Sequence, residues 1–107
     1  MAFARFMQRT ESSRGICGTV ALTGSVSLTG ELDIYALAGI EHAFAALSGD
    51  RIVIDLSGAR LVSAAFFSAL VRLRRRLPLS CIEITGASDN VRRTFSVVGA
   101  QALVVLV

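Results

Sequence analysis

The six residues Arg51–Leu56, RIVIDL, form a β-branched run bounded on both sides by stretches whose apolar residues recur every three to four positions. A continuous apolar run of this length reads as a strand buried on both faces. A strand set between two helical stretches points to βαβ units, whose crossovers place successive strands parallel in one sheet. Ser57-Gly58 is read as the break that ends it. Before the run, Ile34, Leu37, Ile40, Phe44 and Leu47 mark one face of a helix, with Asp33 at the N-cap position, Gly49 past the end and His42 on the outward face. After it, Phe66, Leu70, Leu73 and Leu77 predict a second helix over Ala65–Leu77, stopped by Pro78. Arg72, Arg75 and Arg76 fall off that stripe, and Arg74 lies at its edge. Cys81–Thr85 reads as a further strand. Ser88 or Asp89 caps a third helix carrying Val91, Phe95 and Val98, and Leu103–Val107 is a closing apolar strand.

Toward the N-terminus, Val20, Leu22, Val26 and Leu28 alternate with small polar residues. This predicts a hairpin of Ile16–Leu22 and Ser25–Thr29 about Thr23-Gly24. Met1–Gly15 lacks clean periodicity and is read as a flexible lead-in, leaving residues 16–107 as the domain. The expected fold is therefore α/β, in the order β-β-α-β-α-β-α-β. An N-terminal hairpin is followed by a mostly parallel sheet with flanking helices, and Ile52, Ile54, Ile82 and Ile84 lie in the sheet's interior.

The chemistry the chain lacks narrows its function. It is 53% hydrophobic and 18% charged, which excludes disorder over most of its length. Its longest uncharged stretches fall short of the ~18–20 apolar residues of a bilayer span, so no membrane insertion is expected. No apolar run follows the arginines of the start, so a cytoplasmic location is expected. The net charge is +3, and every one of the 11 basic residues is Arg, since the chain has no Lys. Nucleic-acid domains show a larger, clustered excess, so no direct nucleic-acid binding is expected. The cluster at 72–76 reads as a solvated helix end, where cations complement the helix dipole; a phosphate patch would need Gly or aromatic partners that are missing nearby. Without Lys there is no P-loop, and there is no GxGxxG, HExxH or GxSxG either. No catalytic residue, metal site or cofactor is expected, and the chain is not read as an enzyme. Cys17 and Cys81 form no CxxC pair and are read as two free thiols.

Four segments, in order, carry a resemblance. Gly30-Glu31-Leu32-Asp33 follows a β-rich run and precedes a helix. Ile52–Gly58 resembles a "VLDLSG" strand and turn. Leu61–Leu70, LVSAAFFSAL, stands where "FIDSSGLGAL" would stand, and Ser88–Gly99 resembles "SPxVRRxLxxxG". Together these resemble the STAS domain, shared by sulphate transporters and anti-sigma factor antagonists, from about residue 16 onward.

The resemblance implies a sheet flanked by helices and a regulatory protein–protein role, with a kinase-like anti-sigma factor as partner. Its alternatives are a STAS subunit of a transporter assembly, docking on an ATPase or permease, and a small-ligand or nucleotide-binding module. It also implies a switch by phosphorylation of the first Ser after the motif's Asp. Here that Asp is Ser63, the phosphorylatable Ser is Ala64, the next Ser is Ala65 and the Gly is Phe66. Ala64 has no hydroxyl, so the usual switch is impossible there. Ser63 is either a displaced phosphoacceptor or the N-cap of the second helix. Glu31 and Asp33 match the family's acidic pair, which borders the partner surface; they also suit strand-end solvation and helix capping. The residues expected at the partner surface are Glu31, Asp33, Ser63, Ala64, Phe66 and Phe67, although the phase of Phe66 also suits the core. Many members add a last helix, whereas this chain ends at Val107, so a homodimer through the apolar end is a further expectation.

Overall fold

The computed structural model describes residues 3–12 and 20–107, with side chains from Thr23 onward. Five strands make one sheet in the order β1-β2-β3-β4-β5. They are β1 (Phe3–Ser12), β2 (Val20–Leu32), β3 (Arg51–Val62), β4 (Cys81–Thr85) and β5 (Val105–Leu106). β1 runs antiparallel to β2, and every later pair is parallel. The helices α1 (Leu37–Ala45), α2 (Ala64–Arg76) and α3 (Asp89–Val98) alternate with the parallel strands. The expected element order and the parallel sheet are therefore present. Among the described residues no helix is long and apolar enough to cross a membrane.

The core lies between the sheet and the helices. Ile52, Ile54, Ile82 and Ile84 are buried there with Val26 and Leu28, against Ile40 and Phe44 of α1, Phe66, Leu70 and Leu73 of α2, and Val91 and Phe95 of α3. Phe66 meets Phe44 and Phe95 edge to face, each at a centroid distance of 6.1 Å, and so joins all three helices.

The other side of the sheet is polar, which corrects the reading of RIVIDL as buried on both faces. Arg51, Val53 and Asp55 of β3 alternate with the buried residues and are only half-buried. Val53 is β-branched because strands favour that shape, not because its face is covered. Beside it, the Arg51 Nε donates to Glu83 Oε2 at 2.8 Å, pairing the buried carboxylate.

The predicted boundaries fail at Gly24, Gly58 and both chain ends. β2 is a single strand through Thr23-Gly24, not the two arms of a hairpin. A Cβ on Gly24 would stand 2.8 Å from the Ser48 carbonyl oxygen, so the glycine admits a close backbone approach and makes no turn. The hairpin is formed by β1 and β2, and β1 falls in the segment read as a lead-in. That segment mixes Arg5 and Arg9 with Phe3 and Met7 on one parity, which hides the period of two. β3 continues past Ser57-Gly58 to Val62, with two register shifts against β2. β5 has two residues where five were expected. Val104 is buried, and Leu103 and Leu106 pack on the core, so much of the apolar end is covered within its own domain. Val98 is 54% exposed, off the stripe of Val91 and Phe95. Cys81 is disulfide-bonded, which corrects the reading of two free thiols. That reading rested on sequence spacing, which does not register which thiols a fold brings within bonding distance. Cys17, the other cysteine, lies outside the described residues.

Candidate functional site

The parallel pairing of β2 with β3 sets Glu31 against Leu61 and Leu32 against Val62. The two strands therefore deliver their following residues, Asp33 and Ser63, to one end of the sheet. The Ser63 backbone N–H and its Oγ both donate to the Leu32 carbonyl, each at 3.1 Å, and tie the start of α2 to the end of β2. Ser63 holds the N-cap position, as expected, but its hydroxyl makes this tie and does not cap the helix.

Asp33 caps a short 3-10 turn, Ile34–Ala36, its Oδ1 accepting from the Tyr35 N–H at 3.0 Å. The turn alters the phase of the helical stripe. Ile34, assigned to the buried face by spacing alone, is 62% exposed, and Tyr35 is 94% exposed. The exposed Glu31 carboxylate lies 3.8 Å from the Arg60 guanidinium. Leu61, 43% exposed, completes this end of the molecule.

Of the six residues expected at the surface, the fold brings Glu31, Asp33, Ser63 and Ala64 together at this end. Ala64 is exposed in the first turn of α2. Phe67 is half-buried, one turn further along, with its ring 5.0 Å from that of Phe95. Phe66 is fully buried, which removes it from any contact surface: its helical phase turns the ring inward, where the motif has a bare glycine. Sequence reasoning missed Ile34, Tyr35, Arg60 and Leu61. Tyr35 carried a usable signal, since an aromatic residue off the apolar stripe of an amphipathic segment must face outward.

Below this surface, Asp55 fastens the first irregularity of β3. Its Oδ1 accepts from the Ser57 N–H at 2.9 Å, and its Oδ2 accepts from the Ser27 hydroxyl at 3.0 Å. The Ser57 backbone bond outweighs burial and, with the serine hydroxyls, holds this carboxyl below the usual carboxylate range. The arginines of α2 are not merely a solvated end. Arg76 donates to the carbonyls of Phe44 and Leu47 at 2.6 and 2.8 Å, closing the end of α1, and Arg74 reaches the Ser80 and Leu103 carbonyls. Arg72 pairs with Glu41 of α1.

Comparison with known proteins places this architecture. A family model described as "Mlab, STAS domain" matches residues 11–106. No curated protein matches the chain. Among solved structures, the chain is similar to an anti-sigma factor antagonist from Mycobacterium paratuberculosis, with a TM-score of 0.71 and 21% identity over 95% of this chain and 85% of that one. It is also similar to the anti-sigma factor antagonist SpoIIAA in its unphosphorylated form, with a TM-score of 0.56 and 17% identity over 86% of this chain and 82% of that one.

Proposed function

The chain belongs to the STAS domain family, and from that premise we propose that it is a regulatory docking module whose partner is a kinase-like anti-sigma factor, bound at the end of the sheet where β2 meets α2. The observation that carries this reading is the pair Ile34 and Tyr35, 62% and 94% exposed on a turn pinned by Asp33. Large apolar side chains held out by a fixed turn are the type of residue that dominates protein interfaces. Glu31, Asp33 and Arg60 give the patch a polar rim, the usual surround of such an anchor. The similarity of the fold to two anti-sigma factor antagonists supports the same class of partner.

The docking is constitutive. Ala64 offers no hydroxyl where the family's acceptor stands, and the Ser63 hydroxyl is engaged with the Leu32 carbonyl. A phosphate there would bring ~−1.5 to −2 charge beside Glu31 and Asp33 and break that tie. Affinity purification of the tagged chain from its own host, with the bound protein identified by mass spectrometry, tests the partner class. A kinase-like anti-sigma factor is expected; a transport ATPase or permease in its place would contradict the reading. Incubating the pair with ATP should leave the intact mass of the chain unchanged. A phosphate mapped to Ser63 would show a displaced acceptor and a working switch.

A further inference from the structure

We propose that the groove between α2 and α3 receives an amphipathic helix of the partner, acidic in its first turn and laid antiparallel to α2. This deepens the reading above and rests on it in one respect, that the start of α2 faces a protein. The groove has a volume of about 470 Å³. Its floor is Ala64, Phe67 and Val71 of α2 with Val98 of α3, and its rim carries Arg72 and Arg75. The α2 floor positions are spaced i, i+3 and i+7, a single stripe along the helix. From Ala64 to Arg75 the stripe rises ~16 Å, the length of a helix of ~11 residues. A groove between two helices with such a stripe accepts apolar anchors at i, i+3, i+4 and i+7 of a third helix.

The charge pattern selects the occupant. No carboxylate lines this groove, whereas Glu41 lines the groove between α1 and α2 and pairs there with Arg72. Among the described residues Arg75 makes no ion pair. The groove is thus apolar at the start of α2, and the cation left without a carboxylate partner among the described residues, Arg75, lies toward its end. A helix whose N-terminus lies beside Arg75 places acidic first-turn residues where its own dipole favours them, and the two helix dipoles oppose each other. In the reverse orientation the acidic residues would sit at the partner helix's C-terminus, which disfavours them. Val98, 54% exposed, offers the α3 side of the groove an open apolar contact.

Two synthetic amphipathic peptides of identical composition provide the test, one with Glu residues in its first turn and the other with them in its last. Fluorescence anisotropy against the full chain should show the first binding at least tenfold tighter. Arg75→Glu, an exposed change that leaves the core untouched, should weaken that peptide at least tenfold and favour one with Lys in its first turn. Equal affinity for both peptides, no binding of either at millimolar concentration, or an Arg75→Glu chain that binds as before would overturn the proposal. The assay contains no anti-sigma factor, so its failure leaves the partner class to be decided by the purification above.

Discussion

Asp55 shows how one side chain lets a strand continue through a sequence that reads as its end. Ser57-Gly58 looks like a turn, yet the carboxylate takes up the Ser57 N–H and β3 runs on with a shifted register. Because the folded-state pKa is lowered, the group's contribution to stability is present above its unfolded pKa and is lost as pH falls through the folded one. Asp55→Asn keeps an acceptor for the N–H without the charge. In urea titrations the wild type should therefore lose more stability than the variant as pH falls from about 5 to below 3. Parallel losses would contradict the assignment. Phe66 is the other decisive residue. The motif has glycine there, and this chain places a buried ring between α1, α2 and α3. Phe66→Ala should cost roughly 3–5 kcal/mol of unfolding free energy, with Phe66→Leu much milder. A loss under ~1 kcal/mol would mean that the helices close over the gap.

The elements divide by how their apolar residues reach the core. Helices α2 and α3 were legible because each has a single buried stripe and a definite boundary, Pro78 after the one and the Ser88 cap before the other, and β4 because its two isoleucines share the covered face. β1 was not, because its pairing rests on backbone bonds along β2 and needs no alternation of apolar residues. β2 was split wrongly because a glycine that admits a carbonyl looks the same in sequence as one that makes a turn. The site was half legible. Glu31, Asp33, Ser63 and Ala64 were reached through the family resemblance, which matches them where β2 and β3 give way to helices, whereas the exposure of Ile34 depends on a 3-10 turn that period counting cannot register. Glycine context gives a matched pair of predictions for thermal or urea unfolding. Gly39, inside α1 with open space around its Cα, should gain about 0.5–1 kcal/mol on replacement by Ala. Gly24→Ala, against the Ser48 carbonyl oxygen, should destabilise. The same sign for both would refute the distinction between a free glycine and a close-approach glycine.

At the scale of the whole molecule, one sheet carries two unlike faces, and the proposed chemistry gathers at one end of it. The covered face supplies rigidity. The polar face holds the buried Glu83 carboxylate by its pair with Arg51, an arrangement expensive to break because an unpaired buried charge would remain. The sheet end carries Ile34 and Tyr35 on a pinned turn beside α2, and the α2–α3 groove runs away from the same corner. A partner bound there would meet an apolar anchor first and a cationic groove beyond it. The measurement closest to the central claim is titration calorimetry of the co-purified partner against the wild-type chain and against a chain carrying Ile34→Ala and Tyr35→Ala, with and without ATP. The double variant, folded by circular dichroism, should bind at least tenfold more weakly, and ATP should leave the wild-type affinity unchanged. A double variant that binds as tightly as the wild type, or a wild-type complex that ATP dissolves with phosphate on the chain, would contradict the central claim.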